Sequence, residues 1–571
     1  MPRRSSKAID SEIAVIDEQV YKVEQRERDV ARLLEGLIQL QNSLSSDKGA
    51  LLEQRNNLRA EKSPINWLPT EILAHIFVLH SESLLEAHQE ASTLYHRPPV
   101  TLSHVSSRWR DICLVTSRLW SCISHSSTDF SRQALATFLQ RAKNHYLSLV
   151  LQPPLRDIHN HRKPDNAASH VIAELRPYFS RLASIIFRCD KAIAMGEIVD
   201  IVNDPICDLS HLRSLTLAIE TNNPYFHGSL LGSTNTRREY QVGSSGSSHR
   251  FNSSLQYLCL HQVPLLNIPT CFLSSVVSLE LHYPPSMNHA IVAGRYAMRM
   301  SELRRFLSLM PQLRKLLLSD TIPVFDIDAG PALIEPGEIS DRHYPPGGLV
   351  DLPRLQSLEW SYPHPEDVHR FLAYFSLPAL TKLDVCLDGL DLGRSDNESR
   401  KSLRRVVQLD ALQELSVHYV DDDSLKSALR RLEFQTLSKV EIANVDPRRR
   451  TGEMPLPELP RMDSIFRDPR MPYLSHLTIS HFFINAEHGR LMLGYMPALT
   501  LLSFDTCSGI LQLVEALAET GAAQNGFAVN PHSAARITVK FCPRLDSISL
   551  LGCDVGIEAL RRVVVTRLHV L

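Results

Sequence analysis

From Leu182 onward the chain repeats one short frame, Leu-x-x-Leu-x-Leu, with Ile, Val, Phe or Trp as substitutes at its three fixed positions. The frame starts at residues 182, 212, 255, 276, 313, 355, 380, 412, 437, 474, 499 and 545, which makes twelve copies. A random scatter of leucines does not keep three positions in step so often. The period-two part of each frame predicts a short strand with one face buried. Stretches such as Ser301 to Met310 and Asp367 to Phe375 carry helical apolar spacing just upstream of their frames. A strand and a helix per turn, stacked many times, predicts an elongated repeat array in place of one closed core.

Start-to-start spacings run from 21 (255 to 276) to 46 (499 to 545), against ~20–29 in regular repeats. The array is therefore irregular. Pro stands two residues before six frames, at 311, 353, 378, 472, 497 and 543, where it starts each turn cleanly. Residues 127–571 thus resemble a diverged leucine-rich-repeat solenoid. Cys542-Pro-Arg-Leu545 through Cys553 looks like a cysteine-containing form of that repeat, its thiols read as buried at the strand–helix corner. Inserts near 221–250, 322–351 and 446–470 are expected to be mobile loops, being rich in Gly, Ser, Pro or charge. Arg448-Arg449-Arg450 in the last is read as a solvated run first and an acidic-partner contact second.

The first 62 residues carry a different period. Ile9, Ile16, Val23, Val30, Leu37, Leu44, Leu51 and Leu58 are apolar without exception, alternating with Ile13, Val20, Glu27, Leu34, Gln41, Lys48 and Arg55. This is the d and a pattern of a coiled coil, and its polar a positions favour a two-stranded assembly. Two copies pairing in parallel through residues 9–58 is one packing. A fold-back near Ser43–Asp47 is a second, and a lone amphipathic helix lying on the rest of the chain is a third. Self-association is the favoured one.

Ser63-Pro64 ends the heptads, and Leu68-Pro69-Thr70-Glu71-Ile72-Leu73-Ala74-His75-Ile76-Phe77 follows. Pro69 suits a first helical turn, where its missing N–H costs nothing, and Glu71 suits the positive helix start. A polar insert at about 80–98 separates this helix from Val105-Ser-Ser-Arg108-Trp109-Arg110-Asp-Ile-Cys113, and then from Ser117-Arg-Leu119-Trp120-Ser-Cys-Ile123. Residues 63–126 therefore predict three short helices. So small a domain hides little surface, and its leftover apolar residues call for a partner.

The segment resembles an F-box. Leu68, Pro69, Glu71, Ile72, Leu73, Ile76, Phe77, Val105, Trp109, Arg110, Leu119, Trp120 and Ile123 fall on that family's pattern in order. The departures are the long insert and Arg108 standing directly before Trp109, where the family often has Arg-x-Trp. A heptad helix leading through Ser-Pro-Ile-Asn into the motif resembles the expanded F-box family of mushroom-forming fungi.

The resemblance implies a substrate-receptor subunit of a cullin–RING (SCF-type) ubiquitin ligase. The F-box would dock on a Skp-type adaptor, and through it on cullin, while the repeats hold an unknown protein target. Leu68, Pro69, Ile72, Ile76 and Leu119 would form the adaptor face; Phe77, Trp109 and Trp120 would be F-box core or shared with it. The alternative is a repeat scaffold outside the ligase, with or without adaptor.

What else the chain carries is consistent with an interaction protein. Lys+Arg 61 against Asp+Glu 63 gives a net charge of −2, so no chain-wide grip on nucleic acid or anionic membrane is expected. No apolar run approaches a membrane span and no signal-peptide core follows the basic N-terminus. The ten cysteines have no Cys-x-x-Cys pairing, which with the rest predicts reduced thiols in cytoplasm or nucleus. Phosphate-cradling, zinc-protease and nucleophile-elbow motifs are missing, and His159-Asn-His161, His88 and His96 lack accompanying ligands. No catalytic residue, cofactor or metal is nominated. The expected fold class is α+β and multi-domain: a heptad helix (1–62), a three-helix F-box (63–126) and an irregular α/β leucine-rich-repeat solenoid (127–571).

Overall fold

The computed structural model describes residues 6–90, 98–126, 132–152, 172–189, 192–204, 206–219, 253–283, 298–319, 321, 323, 325, 348–387, 405–419, 422–445, 455–522 and 537–570. The chain divides into two compact units with a boundary between Thr116 and Ser117, not after residue 126.

In the first unit, α1 (Ser6–Lys62) is a single helix of 57 residues, about 85 Å long at 1.5 Å per residue. No fold-back forms near Ser43–Asp47. Ser and Asp inside a helix each cost only ~0.5 kcal/mol, and no Pro forces a break. The apolar stripe from Ile9 to Leu58 is exposed along its length. α2 (Thr70–Glu90) runs well past residue 80, because Leu84, Leu85, Glu86 and Ala87 are strong helix formers. The expected insert is thus largely helix, and 91–97 lie outside the described residues. α3 (Pro98–Ser103) and α4 (Ser107–Val115) complete the unit. Ser106 caps α4, its hydroxyl accepting the Trp109 N–H at 3.2 Å. Leu73, Phe77 and Val78 of α2 and Ile112 and Cys113 of α4 are buried.

The second unit opens differently from expectation. Ser117–Ser121 is one 3-10 turn, not a third helix. It leads into β1 (Cys122–Ser126), the first of fourteen strands in one sheet. The next are β2 (Leu147–Gln152), β3 (Leu182–Cys189), β4 (Ser214–Ile219), β5 (Tyr257–His261), β6 (Ser278–His282) and β7 (Lys315–Ser319). Then come β8 (Ser357–Ser361), β9 (Lys382–Cys386), β10 (Glu414–Tyr419) and β11 (Lys439–Asn444). β12 (His476–Ser480), β13 (Leu501–Asp505) and β14 (Ser547–Leu551) end the sheet. Each strand pairs parallel with its neighbours in chain order. This is the repeat solenoid the frames predict, and all twelve frames contribute a strand.

Register explains why the frames look alike. Leu215, Leu258, Leu279, Leu316, Leu358, Leu383, Leu415, Val440, Leu477, Leu502 and Ile548 form one unbroken cross-strand row. A parallel row two residues on runs from Leu217 through Trp360 to Leu550. Both rows face the same side of the sheet and are buried from Leu215 and Leu217 to Leu502 and Phe504, with Ile548 and Leu550 half-exposed at the end.

Entry turns also repeat. The N–H of the first frame residue donates to the carbonyl three residues back: Leu313 to Met310 (3.1 Å), Leu380 to Leu377 (3.3 Å), Leu545 to Cys542 (3.0 Å). The frame prolines occupy the second position of these turns, where their fixed φ fits. The accepting residues Met310, Leu352, Leu377, Met471, Met496 and Cys542 are buried, a fourth apolar position in the frame. Strand exits are built on left-handed residues. Gln262, Tyr362, His481 and Thr506 have φ of 59, 63, 65 and 51°. Each donates its N–H to the end of the next strand, at His282, Cys386, Asp505 and Leu551.

Helices Met300–Ser308 and Pro365–Leu372 bury their apolar faces upstream of β7 and β9, as their spacing predicts. Residues 221–250, most of 322–351, and Arg448-Arg449-Arg450 lie outside the described residues. Residues 455–470 are not a loose insert: Leu459, Met462, Ile465 and Phe466 are buried. All ten cysteines are free thiols.

Candidate binding surfaces

In the small unit, Arg108 gives the Leu-Pro turn its shape. Its guanidinium donates to the carbonyl of Asn66 and, at 2.5 Å, to that of Leu68. The Pro69 carbonyl then accepts the Leu73 N–H at 3.1 Å, starting α2. The Phe77 and Trp109 rings meet at 4.6 Å, which ties α2 to α4. Arg108 thus joins the Leu68-Pro69 turn to α4.

α2 is apolar on two sides. Leu73 and Phe77 point inward, whereas Ile72, Ile76 and Leu79, spaced for one helical face, are 48%, 41% and 51% exposed. Pro69 is exposed and Leu68 half-buried beside Trp67, which is 72% exposed. Four of the five nominated adaptor residues therefore sit at or near one accessible apolar face. Leu119 does not: it is 0% exposed and belongs to the second unit, so it cannot meet a partner in the folded chain. Trp120 is likewise buried in that unit. Its ring packs on Phe138 at 5.0 Å and under the Arg141 guanidinium at 4.3 Å. Trp67 and Leu79 were not nominated, although an apolar pair flanking Leu-Pro and Ile-x-x-x-Ile is itself a signal.

The second surface is the face of the sheet opposite the leucine rows. Three outward rows cross the strands, and in the middle of the sheet they are charged. Lys315 and Lys382 both approach Glu359 Oε1 at 3.6 and 3.4 Å, and Lys382 also lies 3.8 Å from Asp384. Burial pushes the Asp384 carboxyl up, aided by Glu359 and Glu441, against His418 and Lys382. Such half-exposed pairs stabilise by ~0–1 kcal/mol each; their larger effect is on which charges a partner must present.

β5 and β6 carry a denser group. Cys259 stands directly opposite Glu280 and His261 opposite His282. Ligand atoms of Cys259, Glu280 and His282 lie within 4.8 Å of one another, and the two imidazole rings are 5.9 Å apart, edge to face. The Tyr257 hydroxyl donates to Glu280 Oε2 at 2.7 Å. Burial pushes Glu280 up, but hydrogen bonds from His282 and Tyr257 and the charge of Lys315 outweigh it and hold the carboxyl low. Burial, helped by the charge of Glu280, pushes the Cys259 thiol up to about 12. Burial, with His282 and Arg188 nearby, lowers His261 to about 4, so it is neutral at pH 7. These residues are 21 and 23 positions apart in sequence (259 to 280 and 282). Only the register of two frames brings them together, which is why linear ligand spacing did not reveal them. His159, His161 and His96 lie outside the described residues.

No family model matches the chain, and no curated protein matches it in sequence. Among solved structures, an internalin from Listeria monocytogenes aligns over 81% of this chain and 90% of that chain, at 11% identity and a TM-score of 0.26. No helix among the described residues is long and apolar enough to cross a membrane.

Proposed function

We propose that the chain is a non-catalytic substrate receptor of a cullin–RING ubiquitin ligase, holding a Skp-type adaptor through residues 63–116 and a target protein on the repeats. The observation that carries the reading is the second apolar face of α2. A small unit whose core is already formed by Leu73, Phe77 and Ile112 leaves Ile72, Ile76 and Trp67 exposed, beside the F-box-like Leu-Pro turn. Ubiquitin transfer in such an assembly is positional: the receptor raises the effective concentration of target lysines, and no residue of this chain enters a covalent step.

Co-purification of the full-length chain with adaptor and cullin tests it. The Ile72→Asp, Ile76→Asp double variant is expected to lose capture roughly tenfold or more, given ~1.5–3 kcal/mol per fully buried apolar side chain. Its circular-dichroism spectrum should not change, because both residues are exposed. Wild-type chain that retains no adaptor would instead mark a repeat scaffold outside the ligase. The burial of Leu119 and Trp120 in the repeat unit favours that second reading.

The α1 stripe is proposed to pair with α1 of a second copy. A 3.5-residue period stays in line over so long a helix only against another wound helix, and a second α1 matches both length and period. Exposed Leu33, Leu37, Ile38 and Leu40 widen the stripe at its centre. Sedimentation analysis is expected to show a dimer for the full chain and a monomer for Leu37→Asp, Leu44→Asp. A monomeric wild type at micromolar concentration would refute the pairing.

A further inference from the structure

We propose that Cys259, His261, Glu280 and His282, on the outward face of β5 and β6, form a binding site for one zinc-class divalent cation. The inference is independent of the ligase reading. Polar residues on the open face of a sheet are ordinary. Here, however, four residues in a two-by-two block are all of ligand type: Cys-x-His on one strand beside Glu-x-His on the next. Neighbouring strands offer Ser214, Thr216 and Ala218 on one side and Lys315, Leu317 and Ser319 on the other.

Geometry brings the block within reach of one ion. Zinc takes ligands at ~2.0–2.3 Å, so tetrahedral ligand atoms sit ~3.3–3.8 Å apart. The atoms of Cys259, Glu280 and His282 already lie within 4.8 Å of each other, and side-chain rotation of about an ångström closes the remainder. His261, register partner of His282, lies outside that group and would have to turn toward the ion to supply a fourth ligand. The donor set selects the metal class. Thiolate with imidazole suits zinc and its borderline-soft neighbours, whereas calcium and magnesium take oxygen ligands.

Charge also balances. A dication with a thiolate and a carboxylate sums to zero between Arg188 on β3 and Lys315 on β7, both of which act on the cluster. Coordination deprotonates a ligating thiol outright. The Tyr257 hydroxyl fixes one oxygen of Glu280, orienting the carboxylate from outside as bound metals require. A second, separate observation is Thr216, opposite Cys259 in the register. It is 4% exposed and its hydroxyl has no hydrogen-bond partner, so a metal-bound ligand group such as the Cys259 thiolate would satisfy it. A site closed by four protein ligands would pin β5 to β6.

Titration of the chelator-stripped, full-length, reduced protein with Co2+ tests the site. One equivalent should bind with thiolate-to-cobalt charge-transfer absorption and the d–d bands of a four-coordinate ion, and Zn2+ should displace it. Cys259→Ser is expected to remove the charge-transfer band, and Tyr257→Phe to weaken binding by about 10–100-fold. Cys271→Ser, at the exposed cysteine, should change neither. Because Cys259→Ser is near-isosteric on the sheet face, circular dichroism should confirm its fold, and Glu280→Gln gives an independent second ligand variant with the same expected loss of affinity. Absence of Co2+ binding, binding without the thiolate band, or a band that survives Cys259→Ser would overturn the assignment.

Discussion

Trp360→Ala is expected to destabilise the repeat unit by about 3–5 kcal/mol, the range for removing a fully buried large aromatic side chain. Trp360 fills the inner row of β8 at 2% exposure and packs on Phe371 at 4.8 Å. Its indole N–H donates to the Thr321 carbonyl at 2.9 Å, so the substitution also leaves a buried acceptor without its donor. The consequence in a stacked array differs from that in a globular core. Each strand couples only to its two neighbours, so stability is a sum of repeat and interface terms. Trp360 sits at the middle of the sheet, between β7 and β9. Its loss should split one thermal transition into two, one for the strands before β8 and one for those after. Calorimetry of the variant checks this; a single transition shifted to lower temperature would show that cooperativity reaches further than adjacent repeats.

Gly509→Ala should cost about 2–5 kcal/mol, for two separate reasons. Gly509 has φ +74°, where an L side chain costs roughly 1–2 kcal/mol. A Cβ there would also lie 2.5 Å from the Ile484 carbonyl oxygen and 2.8 Å from the Phe483 ring. Phe483 can turn aside, but the carbonyl is backbone. It belongs to the segment in which the Ile484 N–H donates to the Ser508 carbonyl at 2.9 Å and the Ser508 N–H to Phe482 at 2.9 Å. Relief therefore requires the two turns after β12 and β13 to separate, and overpacking of this kind adds ~1–3 kcal/mol. Denaturant unfolding of wild type and variant measures the difference. A loss under 1 kcal/mol would mean that these turns are not held as tightly as their hydrogen bonds indicate.

The repeat array was legible in the sequence because its cause is repetitive. One buried face on every strand demands apolar residues at the same three places, and the register keeps them aligned from Leu215 to Ile548. β1 and β2 escaped because neither keeps the frame's spacing. The register shifts between Leu147 and Ser148, so the apolar residues of β2 fall at 147, 149 and 151 out of step with the frame, and β1 has His125 opposite Leu151 where the frame's last apolar residue belongs. The length of α2 is not legible from polarity, which reads as loop at 80–98, because helix propensity through Leu84–Ala87 decides it. The burial of Leu119 is not legible either, because a leucine that meets a partner and a leucine that fills a core are chemically the same residue. The Cys259–Glu280–His282 group is a property of two strands in register, and no single stretch of sequence contains it.

Unbroken register has one more consequence, for how such a chain tolerates change in length. Deleting one residue inside any strand would reverse every side chain beyond it, turning charged rows inward and leucine rows outward. Adding residues at a corner, between an exit turn and the next entry turn, disturbs no strand and costs only loop entropy, about 0.6 kcal/mol per doubling of loop length. Gain or loss of a whole turn preserves both neighbours, since each offers the same edge. Insertions and deletions in this chain's lineage should therefore fall at corners or come in complete turns, and spacings as unequal as 21 and 46 (255 to 276, 499 to 545) are compatible with such a filter.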